Sequence, residues 1–541
     1  MTEPEQKFVT QVENALKSLG AKINSFESKQ GRPSWCISIS RGDTTWQLLL
    51  RPRGWNVFEL PSIYWRTAFP VWGWPHTSAA GDICVSDREG VEYAPDDVAG
   101  VLAWLLDEAL RMLESNHKLT AHDRNELFAD ELEGYLQNCG AIAVPMEVML
   151  DPERTLYAEV ELVKKGNMNL VSPAVRGLNH GTLKSEKFLQ QRLSILDVSI
   201  HQLPALNKEW DTTWWDLFLN GLTPDQRTVA TCPKSRGLLL RVSNGYGHAL
   251  VLLYWGLRPS RKRKTYFVQR RDRDYLLRRT GGKSASRHVV IVGCGSIGSR
   301  VAEQLTLAGI EKLTLIDSDT FSADNLGRHI LGRQAISKLK VNELASFLKD
   351  RLPDIEIEPK ASDVQALLGQ NFFPTADAIV LATGNSVVER AIARKAFEEG
   401  WQGLLVSTSV EAVGLGGHSI AIKPGTPGCL DCLYMDPDTQ LLTASMRTGL
   451  IAEGQRVTRQ LTGCGAFTPY SSIDATRTAL LAAEHVLSNI PSYSRWVGDD
   501  TLAKAERILP SQAYDALRAG RIPTNIPSST FAQPGCPCCG V

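Results

Sequence analysis

The sequence has no hydrophobic run long enough to cross a membrane, since its longest apolar stretch, near 249–257, is far shorter than a bilayer requires. The first residues lack the basic and then apolar pattern of a secretory signal peptide. Neither sign of charge prevails, because 59 basic residues balance 59 acidic ones, which argues against a chain that coats nucleic acid or anionic lipid. Internal repeats and low-complexity tracts are also absent. We therefore expect a cytoplasmic protein with no membrane partner and no direct nucleic-acid substrate.

A chain of 541 residues exceeds the size of one compact core, so several domains are expected. Residues 1–140 combine a helical pattern, alternating strands and a long helix capped by Asp96 or Asp97, which indicates an α+β domain. Residues 141–278 mix strands and loops in a linker domain that has no recognisable motif. Residues 279–541 alternate strands with helices, which predicts an α/β domain with a mainly parallel sheet and helices on both faces.

A glycine-rich loop opens the third region in the stretch VVIVGCGSIGS. It places Gly293, Gly295 and Gly298 after a β-branched strand and at the start of a helix, where backbone amides can approach phosphate groups. Asp317 stands at the end of the next strand, where a carboxylate can bind ribose hydroxyls. The pattern predicts a nucleotide site, and a glycine-rich turn without a ligand is the alternative.

The residues that follow, DSDTFSADNLGRH, favour an adenylating enzyme over a dehydrogenase. This segment resembles the adenylation domain of the ThiF, MoeB and ubiquitin-activating family, which carries a D-x-D…N-x-x-R pattern at this position. The resemblance implies that Asp317 holds the ribose of ATP, with Asp319 beside it, and that Asn325 and Arg328 face the triphosphate. It also implies Mg²⁺ as a cofactor and a Rossmann-like fold.

Two further positions, Lys340 and Gly384, bear on this resemblance. Lys340 occupies the place of a phosphate-contacting lysine of the family, with Lys338 as its rival. The fourth strand ends in ATGN, whereas relatives usually carry TDN and use its aspartate to help hold magnesium and phosphate. Because Gly384 replaces that aspartate, either another acid serves the metal or the site is weakened, and we expect the first, with Asp319 as the acid.

Eleven cysteines, an odd number in a chain expected to be cytoplasmic, favour thiols and metal ligands over a disulfide framework. Cys429 with Cys432 and Cys536 with Cys539 form two C-x-x-C pairs, and two such pairs can bind one structural Zn²⁺ in a tetrahedral site. Cys538 is an alternative ligand. The ThiF-like domain commonly carries the same two pairs, so the resemblance also implies zinc.

Two further cysteines lie in the same region. Cys464, in LTGCGAFTPYSS, is flanked by glycines on a predicted loop. In ubiquitin-activating relatives this interval is the crossover loop, whose cysteine receives the activated carboxylate, and the resemblance implies that role for Cys464. A packing residue in a glycine-rich turn is the alternative. Cys294, inside the glycine-rich loop, is expected to be a small residue that the turn tolerates.

Cys84 stands among charged residues in GDICVSDREG, although a free cysteine is usually buried. The wider segment resembles ubiquitin-conjugating domains, which have a proline-rich strand end, then HPN, then G-x-I-C-L-D, a W-x-P turn and a long helix. The resemblance implies that Cys84 is a conjugating cysteine framed by Gly81 and Ile83. His76 matches the motif but its asparagine is absent, so a backbone amide or Ser78 would have to polarise the thioester carbonyl.

The combination of a conjugating-type and an activating-type domain resembles the fusion proteins of bacterial CBASS antiphage operons. That resemblance implies that ATP activates the C-terminal glycine of a cGAS/DncV-like nucleotidyltransferase, a CD-NTase. The acyl group would then pass through Cys464 and Cys84 to a lysine amine on a target protein. The resemblance also implies a homodimer, since relatives of the activating domain are usually dimers.

Three other functions stay open. A sulfur-carrier or metabolite adenylyltransferase would use its N-terminal region only to bind a partner. An NAD-dependent oxidoreductase would share the glycine-rich loop, although the cysteine pairs and DNLGRH disfavour it. A non-enzymatic scaffold is favoured only by Gly384 and by the missing asparagine.

Overall fold

The structure of the protein is a computed structural model. It describes residues 1–29, 32–66, 74–78, 81–85, 91–129, 131–137, 142–146, 156–163, 169–170, 174–177, 188–204, 209–255, 263–270, 273–283, 285–352, 355–364, 373, 376–460 and 466–540. The chain divides into two compact units, Met1–Arg270 and Arg271–Val541. Each unit has its own sheets and its own hydrophobic cores.

The first unit begins with helix Glu3–Ser18 and an antiparallel sheet. The strands of this sheet neighbour one another in sequence order: Lys22–Lys29, Arg32–Arg41, Thr44–Arg51, Ser62–Trp65 and Asp82–Ile83. Burial alternates along the second and third strands, as expected of a sheet with one face on a core. Helix Val98–Lys118 follows this sheet in the chain.

One core joins the first helix, the sheet and the long helix. Phe8, Trp35 and Leu48 are buried together with Leu102 and Leu106, which lie one turn apart on the long helix. This spacing places an apolar stripe against the inner face of the sheet. Asn116 of the long helix also donates to the carbonyl oxygen of Pro75 at 2.8 Å, which ties the backbone beside His76 to this helix.

A second, mixed sheet completes the first unit. Its strands run in the order Phe188–Arg192, Leu156–Val163, Ala174–Gly177, Ile142–Met146, Arg263–Arg270, His248–Tyr254, Gly237–Ser243 and Ser194–Ser199. Two short strands, Asn169–Leu170 and Glu209–Trp210, pair with its second and fifth members. Phe128 and Phe218 pack with Leu238 and Leu240 of this sheet, so helices on one side close its core.

The second unit contains a sheet of eight strands within the described residues. Their order is Glu356–Lys360, Ile310–Ile316, Ala285–Val292, Ala378–Leu381, Leu404–Val410, Gly416–Ile422, Ser492–Val497 and Asn525–Pro527. The first five are parallel to one another, and the last three extend the sheet by antiparallel pairing. The carboxyl ends of the parallel strands therefore meet at one edge, where ligands bind in open α/β sheets.

Both faces of this sheet are covered. Along its central strand, Val289 and Ile291 belong to one core, whereas Val290 and Val292 belong to the core on the opposite face. Helices Ser296–Leu307, Lys340–Arg351 and Ser472–Ser488 contribute to the first core, and helix Ser386–Glu398 contributes to the second. The alternation explains the continuous β-branched run in the sequence, because a strand buried on both faces needs no polar side.

The remaining helical segments are short or lie between the sheets. In the first unit they are Ala121–Phe128, Leu132–Gln137, Ile200–Gln202, Thr212–Gly221 and Pro224–Ala230. In the second unit they are Arg273–Arg279, Ala323–Asn325, Arg333–Ala335, Ala412–Gly414, Asp431–Tyr434, Thr501–Ala505, Gln512–Arg518 and Ser528–Phe531. Strands Arg459–Gln460 and Ala466–Phe467 form a small separate hairpin.

The predicted alternation of strands and helices in the third region is confirmed, with helices on both faces. The prediction of a mainly parallel sheet holds for five strands, and the antiparallel extension arises because the chain reverses tightly between Val410 and Gly416. Asp97 is the cap of the long helix, since its carboxylate accepts a hydrogen bond from the Gly100 amide at 2.8 Å. The domain boundaries near residues 140 and 278 stay predictions.

No helix in the described part of the chain combines the length and the apolar character that a membrane crossing requires.

Candidate functional site

The glycine-rich loop joins the central strand of the eight-stranded sheet to helix Ser296–Leu307. Gly293 has a φ of +87°, a left-handed conformation that favours glycine. A Cβ on Gly298 would lie 1.8 Å from the carbonyl oxygen of Gly293, so only glycine permits this approach of helix to loop. A Cβ on Gly295, the residue that caps the helix, would meet no atom within 4 Å. The space in front of the helix N-terminus fits the phosphates of a nucleotide.

Asp317 lies beside this loop, at the carboxyl end of the neighbouring strand. Its Oδ2 atom accepts a hydrogen bond from the Cys294 amide at 2.7 Å, and its Oδ1 atom accepts one from the Asp319 amide at 2.8 Å. Burial raises the pKa of the Cys294 thiol well above its ordinary value, so this thiol stays protonated. These contacts agree with a packing role for Cys294, and the ribose role of Asp317 stays a prediction.

Lys340 is the lysine that the fold brings to this region. Its side chain is 9% exposed, and Nζ lies 2.7 Å from Oδ2 of Asp319, whose side chain is 67% exposed. Lys338 instead pairs with Glu343 at 3.1 Å and is half exposed. The geometry therefore favours Lys340 over its rival as the cation that binds Asp319.

Arg328 and its partners form the wall that faces the helix N-terminus. The Arg328 guanidinium lies 4.8 Å from the ring centroid of Tyr470, and the Tyr470 hydroxyl shares a hydrogen bond of 2.6 Å with Oγ of Ser296. The Asn325 amide oxygen accepts a hydrogen bond from the Ser322 amide at 3.0 Å. Asn325 thus holds the turn that carries Arg328, and Arg328 lies where it can meet a bound anion.

His329 supports the glycine-rich loop from behind. Nε2 of His329 donates to the carbonyl oxygen of Cys294 at 2.8 Å, and Nδ1 accepts from the Leu331 amide at 3.1 Å. These partners assign the proton to Nε2. Burial lowers the pKa of His329 to about 4, so the ring is neutral at neutral pH and both hydrogen bonds persist.

The turn after the fourth strand explains the unusual Gly384. This residue has a φ of +69°, and a Cβ on it would meet nothing within 4 Å. Backbone conformation therefore favours glycine here, although space does not require it. Asn385 caps the following helix, because its side-chain oxygen accepts from the amides of Val387 and Val388 at 3.1 and 3.3 Å.

Glu389 is a buried acid immediately behind this turn. Its Oε1 atom accepts from the Thr383 hydroxyl at 2.8 Å, and its Oε2 atom accepts from the Ser407 hydroxyl at 2.6 Å. Burial raises the pKa of Glu389 to about 7, and the hydrogen bonds limit that rise. Both carboxylate oxygens are thus engaged with the walls of the site, and Glu389 fixes the turn at Gly384.

A cavity of about 440 Å³ lies in front of the helix N-terminus, and Asp317, Asp319 and Lys340 are not among the residues that line it. Gly295 and Arg328 line one part of it, and Arg390, Tyr434 and Met446 line another. The carboxyl ends of the parallel strands supply its floor, as expected for a ligand site in an open α/β sheet. The cavity therefore offers a polar site for a phosphate-bearing ligand at the helix N-terminus.

The four cysteines of the two C-x-x-C pairs meet in the second unit. Their sulfur atoms all lie within 4.8 Å of one another. The Sγ–Sγ distance is 3.8 Å between Cys429 and Cys432 and 3.5 Å between Cys432 and Cys539. Zinc–thiolate bonds of about 2.3 Å in a tetrahedron separate the sulfur atoms by about 3.8 Å. The cluster formed by Cys429, Cys432, Cys536 and Cys539 therefore fits a tetrahedral metal, and Cys538 is outside this set.

Cys84 is exposed in the first unit, next to a tight turn. Its amide donates to the carbonyl oxygen of His76 at 2.8 Å, and Thr77 pairs with Ile83 across the same turn. This register puts residues 76 and 84 opposite each other. Gly81 has a φ of +84° at the reversal, a left-handed conformation that favours glycine, and its framing of a conjugating cysteine stays a prediction.

Glu131 binds both the backbone amide and the imidazole ring of His76. Its Oε2 atom accepts from the His76 amide at 2.5 Å, and its Oε1 atom lies 3.2 Å from Nδ1 of the same residue. His76 has a φ of +60°, which is uncommon for a side-chain-bearing residue. The Glu131 carboxylate compensates for this strain, so the backbone beside Cys84 is held from a distant part of the chain. Ser78 also belongs to the turn, where its hydroxyl accepts from the Asp82 amide at 3.1 Å.

Cys464, the other predicted acyl acceptor, lies outside the described residues. Of the predicted groups of the second unit that the structure describes, Gly295, Arg328 and Gly384 line the cavity. Asp317, Asp319 and Lys340 form a separate group of contacts beside Cys294, and the four cysteines form the cluster. Sequence reasoning missed His329, Glu389, Arg390, Tyr434 and Tyr470. Only His329 had a sequence signal, since it ends the DNLGRH stretch.

Residues 278–495 match the ThiF family. Over 261 residues the chain is 28% identical to the ATP-dependent ubiquitin transferase-like protein Cap2 of Vibrio cholerae, across 45% of this chain and 43% of that protein. Cap2 of Pseudomonas aeruginosa is 36% identical over 125 residues, or 22% of each chain. Ubiquitin-like modifier-activating enzyme 5 of Branchiostoma floridae is 29% identical over 156 residues, across 27% of this chain and 38% of that protein. The chain thus matches less than half the length of each of these relatives.

Among solved structures, Escherichia coli MccB with ATP is similar at 18% identity and a TM-score of 0.31, across 47% of this chain and 66% of that chain. The family match and the relatives' names confirm the predicted resemblance to ThiF and ubiquitin-activating proteins.

Gly298→Ala is expected to destabilise the second unit by about 1–3 kcal/mol, because the added methyl group would overlap a backbone carbonyl that cannot move aside. Thermal unfolding measures the effect. Gly327→Ala is the matched control, since a Cβ there meets nothing within 4 Å. Equal unfolding temperatures for the two variants would contradict the close approach of helix and loop.

The cysteine cluster is expected to hold about one zinc ion per chain, as four thiolates complete a tetrahedral shell. Metal analysis of purified protein measures the content. Cys429→Ser should lose the metal and lower the unfolding temperature, whereas Cys538→Ser should keep both. Folded wild-type protein without zinc, or metal loss in Cys538→Ser, would show that this ligand set is wrong.

Proposed function

We propose that the chain uses ATP to activate the C-terminal carboxylate of a protein and then transfers the resulting acyl group to an amine. The match of residues 278–495 to the ThiF family supports this proposal. The observation that supports this most is one cavity that combines the helix end at Gly295, the cation Arg328 and the turn at Gly384. Adenylation needs these elements, because negative charge develops on the triphosphate while a second substrate lies beside it. The names of the Cap2 and activating-enzyme relatives agree with this chemistry.

In the first step the substrate carboxylate attacks the α-phosphorus of ATP, the bond to the bridging oxygen breaks, and pyrophosphate leaves. Asp317 binds the ribose hydroxyls, and the amides that follow Gly295 bind phosphate at the positive end of the helix. Arg328 and Lys340 stabilise the charge that builds on the departing pyrophosphate. The product is a mixed anhydride, which a thiolate can attack.

Asp319 is the residue that we propose for magnesium. It is an exposed carboxylate beside Asp317, whereas Gly384 offers no side-chain ligand. Magnesium commonly binds through one or two carboxylates and substrate phosphates, so Asp319 fits if it exchanges its ion pair with Lys340 for the metal. Bound Mg²⁺ would neutralise phosphate charge.

Two thioester transfers follow in this proposal. The Cys464 thiolate attacks the anhydride carbonyl, the bond to the phosphate oxygen breaks, and AMP leaves. The Cys84 thiolate then attacks the Cys464 thioester and releases the first thiolate. A lysine amine of the target attacks the second thioester, loses its proton and forms an isopeptide bond as the Cys84 thiolate leaves. The turn held by His76 and Glu131 keeps Cys84 exposed to both partners.

The proposed substrate is a protein with a C-terminal glycine, namely the CD-NTase of a CBASS antiphage operon, and the proposed acceptor is a protein amine. The name of the Cap2 relatives, ATP-dependent ubiquitin transferase-like protein, supports a protein substrate. We also propose that residues 1–140 act as a ubiquitin-conjugating-like domain, that residues 141–278 link it to residues 279–541, and that the chain works as a homodimer.

Asp317→Ala and Arg328→Ala are expected to lower ATP–pyrophosphate exchange about a hundredfold or more, because each removes a group that holds or stabilises the triphosphate. The assay uses synthetic peptides that copy the C-terminal tails of the proteins encoded beside this gene. Asp324→Ala, an exposed change in the same loop, is the control and should exchange normally. Unchanged exchange in both site variants would place ATP elsewhere, and exchange that requires a small metabolite would favour the metabolite adenylyltransferase.

The order of transfer predicts opposite results for the two cysteines. Cys464→Ala should form the adenylate but no thioester, whereas Cys84→Ala should accumulate a reducible thioester on Cys464 and no isopeptide product. Nonreducing gels with ATP and the tail peptide measure this, and Cys232→Ser is the control. If Cys464→Ala still charges Cys84 at the normal rate, the acyl group moves directly from the adenylate and Cys464 is a turn residue.

A further inference from the structure

Two arginine–tyrosine stacks line the cavity of the second unit. Arg328 lies 4.8 Å from the Tyr470 ring centroid, and Arg390 lies 4.4 Å from the Tyr434 ring centroid. The first stack contacts the helix N-terminus through Ser296. The second stack lies on helix Ser386–Glu398 and the short helix Asp431–Tyr434, so it belongs to a separate part of the wall.

Asp431 fixes the position of Arg390. Its carboxylate is 1% exposed and accepts from Nε of Arg390 at 2.6 Å through one oxygen and from Nε of Arg394 at 2.5 Å through the other. Arg390 uses its Nε atom for this ion pair, so its two Nη groups remain as donors for a ligand. The stack on Tyr434 restrains the guanidinium plane, so Arg390 is preorganised before any ligand enters.

The charge at this end of the cavity favours an anion. One carboxylate, Asp431, balances two guanidinium groups and leaves one positive charge in the cluster. Glu389, the acid that also lines the cavity, has both oxygens bonded to Thr383 and Ser407. Its pKa of about 7 further reduces its negative charge at neutral pH. Arg390 therefore has no competing carboxylate among the described residues that line the cavity.

Arg394 serves the other side of Asp431. Its side chain is 45% exposed, compared with 17% for Arg390, and it does not line the cavity. The Asp431 hydrogen bond raises the pKa of Arg394. Arg394 thus binds one oxygen of Asp431 from outside the cavity, and Arg390 is the member of the pair that a ligand in the cavity can meet.

We propose that Arg390 binds the C-terminal carboxylate of the protein substrate and that Asp431 acts as the positioning residue for Arg390. The inference rests on the proposed function and names the group that recognises its acyl substrate. A guanidinium can bind a carboxylate through two parallel hydrogen bonds, and the Nη edge of Arg390 supplies those donors. Arg328, beside the helix N-terminus, remains with the triphosphate.

The test measures binding of the tail peptides without ATP, by fluorescence anisotropy, and then pyrophosphate exchange. Arg390→Gln should weaken binding of the free-acid peptide about ten- to a hundredfold, as expected for a lost charge-assisted hydrogen bond. Its affinity for the C-terminal amide of the same peptide should match that of wild type. Arg394→Gln, which breaks the equivalent ion pair outside the cavity, is the matched control and should bind both peptides normally.

Kinetics separate Arg390 from the nucleotide residues. In the exchange assay, Arg390→Gln should raise the KM for the peptide and leave the KM for ATP unchanged, and Arg390→Lys should recover part of the affinity. Asp431→Asn should raise the peptide KM in the wild-type background but add little to Arg390→Gln, because it acts through Arg390. Zinc content and unfolding temperature identify any variant that is merely misfolded.

Three outcomes would overturn the inference. Equal losses in Arg390→Gln and Arg394→Gln would mean that both arginines only stabilise the fold. A raised KM for ATP in Arg390→Gln would assign the residue to the triphosphate. Equal weakening of free-acid and amide peptides would show that the carboxylate is not what Arg390 recognises. Absence of exchange in wild type with every tail peptide would instead overturn the proposed function, and the inference with it.

Discussion

The approach of Gly298 to the Gly293 carbonyl is the constraint on which the rest of the candidate site depends. It lets helix Ser296–Leu307 start directly at the end of the central strand, with its amides open to the cavity. The Asp317 carboxylate ties the same loop to the next strand through the Cys294 amide. Any side chain at position 298 would push the helix away from the loop, and the helix N-terminus and Asp317 would then no longer share one edge of the sheet.

The parallel pairing of five strands places further groups at the same edge of the sheet as this loop. Since five strands point in one direction, the loop at Gly293, Asp317 and the turn at Gly384 follow strand ends that meet at one edge. The antiparallel strands then bring back the segment that carries Cys429 and Asp431. Helix Ser386–Glu398 begins just after the turn at Gly384 and carries Arg390 and Arg394, which bind Asp431 between the first two clustered cysteines in the sequence.

Local patterns predicted the parts of the site that depend on local geometry. The glycines, Asp317 and the paired cysteines were predictable, because close backbone approach, strand ends and metal ligation each require particular residue types at fixed spacing. Arg390 and Tyr434 were not predictable from the sequence, because their contact forms only when two distant segments of the chain pack together. Gly384 departs from the family pattern, and its φ of +69° supplies a conformational reason that no spacing reveals.

Helix Ser386–Glu398 connects the turn at Gly384 with the segment that carries Asp431. Asn385 caps it at the turn beside the nucleotide loop, and Arg394 lies about 13 Å further along at a rise of 1.5 Å per residue. Arg390 and Arg394 are four residues apart, so both face Asp431 from one side of the helix. Because a buried carboxylate with one partner missing is costly, Asp431 holds both arginines at once. The Asp431–Arg390 ion pair therefore sets the direction of the Arg390 guanidinium, and the Asp431–Arg394 ion pair fastens the cysteine-bearing segment to the same helix.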